Sequence, residues 1–232
     1  MSSYSLERIR SRYVNLYLLH RPGEALLVDG GPAGSENLIF SEMQRLNLQP
    51  SMLRFLLLTH SHFDHSGSAA VLKETLGCRI IIHEAEAERL REGSTPFPKG
   101  TRRKAKWMVA LGRLFRARIT SFPPVTPDLL LSSTMELGEL GFPGKILHMP
   151  GHSPGSVVIL LEEGKLLCGD LLFGLKGKRH FPPFAEDVSR LWKSWKALHA
   201  LEDWEVAYPA HGYPVPRASF EREFREMGPV FS

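Results

Sequence analysis

Cysteine is scarce in this chain: Cys78 and Cys168 are the only two among 232 residues. Two thiols cannot build a disulfide framework. Both fall in stretches that read as buried strands, so they are expected to be small core residues of a protein kept in a reducing compartment. Long hydrophobic runs are missing too, and the longest falls far short of the roughly 20 residues that cross a bilayer. The first residues, Met1-Ser2-Ser3-Tyr4-Ser5, carry no basic stretch followed by an apolar one, so no export signal is read there and a cytoplasmic protein is expected. There is no low-complexity tract, no internal repeat and no linker-like break in composition. With 43% hydrophobic residues the chain can bury one large core, and a single domain over 1–232 is expected.

Acidic residues are absent from 93–127, a stretch that holds eight basic ones: Lys99, Arg102, Arg103, Lys104, Lys106, Arg113, Arg116 and Arg118. The chain has 29 basic and 25 acidic residues; without those eight, 21 basic remain, so the rest carries −4 although the whole carries +4. The basic character is therefore one local feature and not a property of the whole surface.

What the chain has in concentration is histidine. Three histidines and an aspartate fall within His60-Ser61-His62-Phe63-Asp64-His65, after an apolar run from Phe55 to Leu58 and before a helical pattern from about Ser66 to Leu76. His60, His62 and Asp64 are two apart, and an extended backbone would project them to one side. His65 comes where the chain turns and can aim elsewhere, so the loop can feed two neighbouring points. Imidazole and carboxylate donors together suit zinc, iron or manganese.

Around this motif the first half alternates strands and helices. Tyr13 to Leu19 and Ala25 to Asp29 read as a hairpin, Ser35 to Leu46 as a helix, Phe55 to Thr59 and Cys78 to His83 as buried strands, and Glu84 to Arg91 as a short charged helix. That alternation argues for an α/β layout. The second half is rich in strands, at 129–131, 135–137, 145–149, 156–161, 165–168 and 205–208, with helices at 188–201 and 218–227. Glu163-Gly164 reads as a hairpin turn.

Three more polar residues follow strands and stand beside glycine: His152 in Pro150-Gly151-His152, Asp170 in Gly169-Asp170 and His211 in His211-Gly212. Glycine allows the close approach and unusual dihedrals that a loop needs to aim a ligand. Strand ends of an α/β sheet are where sites gather. With the first motif, these residues make the chain resemble the metallo-β-lactamase superfamily of metal-dependent hydrolases, from Tyr13 to about Pro214.

The resemblance implies a four-layer αβ/βα sandwich with a metal site at one edge of two sheets. Carried over by position, His60, His62 and His152 would hold one metal, Asp64, His65 and His211 a second, and Asp170 would bridge the two. Asp29 matches an acidic position that supports such a site from behind. Zinc is the expected metal, with iron or manganese the alternatives. Two divalent ions roughly 3.5–4 Å apart can share one water, lower its pKa and polarise the oxygen under attack. No cysteine stands at a ligand position and seven donors exceed what a closed structural site needs, so the metals are expected to be catalytic.

The expected activity is hydrolysis of an ester, thioester or lactone-like bond of a small molecule by a metal-bridging hydroxide, with Asp64 also handling a proton. A mononuclear iron sulfur dioxygenase on the same scaffold is the alternative. A β-lactamase or a nucleic-acid phosphodiesterase ranks lower, and a nucleic-acid partner is not expected. Residues 93–127 read as a basic helical insertion between the motif and the second sheet. Its helix, 102–118, sets Trp107, Met108, Leu111, Leu114 and Phe115 on one face. It could pack on the core, cover a substrate with an apolar body and an anionic group, or meet a membrane surface.

Overall fold

The computed structural model of the chain describes residues 4–96, 99–101, 109, 120–177 and 179–231. It groups them into two compact units, each built on one six-stranded sheet. The α/β layout is borne out: both sheets are mixed and both units carry helices.

In the first unit the strands run in chain order: β1 (Ser5–Ser11), β2 (Val14–Arg21), β3 (Glu24–Val28), β4 (Leu53–Leu57), β5 (Arg79–His83) and β6 (Leu129–Leu131). β1, β2 and β3 form an antiparallel meander, and β3 to β6 are parallel. Parallel neighbours need crossovers. These are supplied by α1 (Glu36–Arg45) before β4, by α2 (Phe63–Ser66) and α3 (Ala69–Leu76) before β5, and by α4 (Glu84–Glu92) after it. The helices bury Ile39 and Met43, Ala69 and Leu72, and Ala87 and Leu90. Burial of such a side chain contributes about 1.5–3 kcal/mol when it is as large as Leu, Ile or Met. β4 and β5 bury every residue except Arg54 and Arg79, as the near-continuous apolar runs of a covered parallel strand require.

The second sheet has the order β12-β11-β10-β9-β8-β7, with β7 (Met135–Glu136), β8 (Gly144–His148), β9 (Val157–Leu161), β10 (Lys165–Gly169), β11 (Val206–Pro209) and β12 (Val215–Pro216). Only β10 and β11 pair in parallel. At the β9–β10 hairpin Glu163 and Gly164 both take positive φ, 62° and 70°, as a tight turn between right-twisted strands needs. α5 (Val188–Ala200) and α6 (Arg217–Phe231) belong to this unit, and their apolar faces meet in an aromatic cluster. Trp195 lies 4.9 Å from Phe181 and 5.0 Å from Phe220 between ring centroids. The indole of Trp195 donates to the carbonyl of Leu171, 2.9 Å away. The hydrophobic cluster is thereby tied to the loop that leaves β10.

Some expectations need correction, and one lies outside the described residues. Phe63–Ser66 is helical, so Asp64 leaves the extended backbone shared by its two preceding histidines. β6 joins the first sheet beside β5, so residues 93–127 fall in sequence between two strands of that sheet as well as between the motif and the second sheet. The expected helix 102–118 falls outside the described residues except for 109, and Lys99 is the one residue of the basic group inside them. Cys78 precedes β5 and is not part of it, although it is buried and, like Cys168, free. Burial pushes its thiol up to about 11 and raises that of Cys168 further, which leaves both protonated and unreactive at neutral pH. Among the described residues no helix is long and apolar enough to cross a membrane.

Candidate metal centre

Direction of the strands gathers the polar residues within each unit. β3 and β4 are parallel, so Asp29 and the histidine motif leave the first sheet at the same end. β8 and β10 both pair antiparallel with β9, and β11 runs with β10. The carboxyl ends of β8, β10 and β11 therefore share one end of the second sheet, and His152, Asp170 and His211 follow them.

In the first unit His60, His62 and His65 are buried and Asp64 is 9% exposed. The Nε2 of His60 and the Nδ1 of His62 are 2.9 Å apart. Two donors held about 2.0–2.1 Å from one tetrahedral ion stand roughly 3.3–3.4 Å apart, so this pair is near enough for both nitrogens to reach one ion. The centroid of the His60 ring is 3.9 Å from that of His65. The Nε2 of His65 lies 4.0 Å from Oδ1 of Asp64. Donor atoms of His60 and His62, of His60 and His65, and of Asp64 and His65 each fall within 4.8 Å of one another.

The residues behind these donors fix their tautomers. Asp29 is buried, and its backbone is left-handed at φ 62°, a conformation that Asp tolerates better than most residues. Its carboxylate accepts from the backbone N–H of Thr59 at 2.8 Å and from the Thr59 hydroxyl at 2.9 Å. It also accepts from Nδ1 of His65 at 2.8 Å. A carboxylate can only accept here, so Nδ1 of His65 carries the proton and Nε2 keeps its lone pair. The Thr59 hydroxyl has spent its hydrogen on Asp29 and can accept from Nδ1 of His60, 3.1 Å away. His60 then also presents a bare Nε2. The loop is tied back on itself: the Ser66 hydroxyl reaches the carbonyls of Ser61 and His62 at 2.8 and 3.0 Å.

The second unit repeats the logic. Asp170 sits between two imidazoles. Its Oδ2 is 3.3 Å from Nε2 of His152 and its Oδ1 is 3.4 Å from Nε2 of His211. Each oxygen of one carboxylate thus faces a different histidine. Nδ1 of His152 is 3.0 Å from the carbonyl of Phe184, which again puts the proton on Nδ1. His211 stacks on Phe173 with ring centroids 4.8 Å apart. Gly151 holds φ 130°, and a Cβ there would overlap the backbone of Leu191 at the start of α5. Only glycine lets the His152 loop lie against that helix.

Of the donors expected from the sequence, His60, His62, Asp64, His65, His152 and Asp170 are buried, His211 is partly exposed at 13% of its side chain, and those of each unit lie near one another. Nitrogen and oxygen donors with no thiolate, backed by carbonyl and carboxylate partners, are a chemically fitting set for zinc or another borderline divalent ion. Sequence reading missed Thr59, the Phe184 carbonyl and Tyr13. Tyr13 lies in the tight β1–β2 turn, and its phenol is raised above the usual range by partial burial and by the negative charge of Asp64, against a smaller opposing effect of Arg12. Nothing in its local sequence separates it from an ordinary turn tyrosine.

The family model described as the metallo-beta-lactamase superfamily matches residues 9–211. A probable metallo-hydrolase of Methanocaldococcus jannaschii is 28% identical over 198 residues, covering 84% of this chain and 86% of its own. A hydroxyacylglutathione hydrolase of Anaeromyxobacter dehalogenans is 29% identical over 208 residues, covering 88% of this chain; the chain spans 63% of that relative's length. The crystal structure of a metallo-beta-lactamase family protein from Thermus thermophilus superposes on 99% of this chain and 80% of its own, with a TM-score of 0.71 and 27% identity.

Proposed function

Since the chain belongs to the metallo-β-lactamase superfamily and is a metal-dependent hydrolase, we propose that its two donor clusters serve one dinuclear centre and that the two units act as a single catalytic domain. His60, His62 and His152 hold one ion, Asp64, His65 and His211 the other, and Asp170 bridges. Zinc is the metal that this donor set suits best. The observation that carries the reading is the Asp170 carboxylate, with an imidazole Nε2 at each of its oxygens.

The bond cleaved is an ester, thioester or lactone-like bond of a small molecule. Relatives named as hydroxyacylglutathione hydrolases favour a thioester. Divalent ions held there supply a water of lowered pKa and polarise the oxygen under attack. The protein does the rest. His60, His65 and His152 keep their protons on Nδ1 and so hold their Nε2 atoms bare for the metals. Asp64, the most exposed of the seven except His211, takes the proton of the attacking water and passes it to the leaving oxygen or sulfur. The buried, free thiols of Cys78 and Cys168 are in keeping with a cytoplasmic setting. The basic, partly apolar segment 93–127 favours a substrate with an anionic group and an apolar body.

Metal analysis of protein purified without added metal tests the proposal. About two zinc ions per chain, with hydrolysis abolished by a chelator and restored by zinc, is the expected result. A single iron with oxygen uptake on a thiol persulfide would replace hydrolysis by dioxygenation. Metal-free protein with unchanged activity would overturn the centre altogether.

A further inference from the structure

We propose that Glu86 is a positioning residue for the metal centre and acts through the hydroxyl of Ser61. The inference rests on the reading of His60 and His62 as ligands to one ion. Ser61 stands between them in sequence and is fully buried. Its hydroxyl donates to Oε2 of Glu86. Glu86 is itself entirely buried, in the first turn of α4. The guanidinium of Arg89, one turn further on, is 3.6 Å from the same oxygen.

A buried carboxylate is costly to keep, and an apolar residue of the same volume often serves stability as well or better. What this one gains is a charge-assisted hydrogen bond to a loop that has to be held still. The negative charge is offset by Arg89 and lies at the positive end of a helix. β5 is the parallel neighbour of β4, so the helix that leaves β5 begins beside the loop that leaves β4. Glu86 pulls on the Ser61 hydroxyl while Ser66 holds the Ser61 and His62 carbonyls from another side. The backbone between the two histidines is thereby fixed at both its polar ends, and with it the 2.9 Å separation of their donor nitrogens. Such outer partners are worth roughly 10–100-fold in metal affinity.

The test uses Ser61→Ala, Glu86→Gln and the double variant, each compared with the parent for zinc affinity, for the visible spectrum of the cobalt-substituted protein and for thermal stability. Ser61→Ala is expected to weaken zinc binding at least about tenfold and to alter the cobalt bands. Glu86→Gln should do the same, and the double variant should be no worse than the more affected single one, because both changes break one interaction. Should Glu86→Gln fail to fold, Ser61→Ala alone decides, since it removes one oxygen and no charge. Variants that melt earlier but bind zinc and give cobalt spectra like the parent would overturn the proposal, as would losses that simply add. A parent protein that binds no zinc or cobalt would instead overturn the metal centre, and this inference with it.

Discussion

Replacing Asp64 by asparagine is expected to cut turnover at least about a hundredfold and to empty the second metal position. The substitution keeps size and shape and removes one negative charge. In the proposed centre that charge has two duties: it binds an ion together with His65 and His211, and it carries a proton. An amide can do neither well, and loss of positioned acid–base help alone is worth 10²–10⁴-fold. The fold should tolerate the change. Asp64 lies in the one-turn helix α2 and is 9% exposed, and asparagine fits the same space. Stability should therefore fall little, within about 1 kcal/mol. Metal content per chain and turnover with saturating substrate are the measurements. Full occupancy with near-normal turnover would show that Asp64 has neither duty.

Why was Asp64 named from the sequence when its conformation was not? Ligand identity follows from residue type and spacing, both of which are in the sequence. The backbone at 63–66 is a single helical turn, too short to show a period, and two-residue spacing suggested an extended run instead. The same division holds through the molecule. β4 and β5 were legible because parallel strands covered on both faces must be apolar along their length, apart from the exposed Arg54 and Arg79. β1 was not: its exposed positions Ser5, Arg8 and Arg10 leave an edge strand with too few apolar residues to stand out. β12 is two residues long. The sequence of β6 reads as a strand, but only its pairing with β5 places it in the first sheet. The partners behind the ligands were least legible of all. Asp29 and His65 are 36 residues apart, and Ser61 and Glu86 are 25 apart. No local pattern connects them; family resemblance alone points to Asp29.

Asp29 is where the two consequences of that hidden layer can be separated. Asp29→Ala should cost at least about 4 kcal/mol of stability and abolish metal binding at the position that His65 serves. Its carboxylate satisfies the buried Thr59 N–H, the Thr59 hydroxyl and Nδ1 of His65. Each buried group left unmet costs about 1–3 kcal/mol. Alanine at φ 62° adds about 1–2 kcal/mol, since its Cβ crowds the carbonyl oxygen. Asp29→Asn behaves differently. Asparagine accepts the left-handed backbone, and its amide oxygen can still take the Thr59 N–H. The amide nitrogen is then left facing Nδ1 of His65. To accept from it, His65 must give up the proton on Nδ1 and carry one on Nε2, the atom meant for the metal. The variant should stay folded, with a melting temperature close to the parent, while zinc affinity falls roughly 10–100-fold. Chelator competition and thermal melts on the two variants provide the check. If Asp29→Asn binds zinc as the parent does, Asp29 is only a structural tie between β3 and the motif, and the tautomer of His65 is set elsewhere.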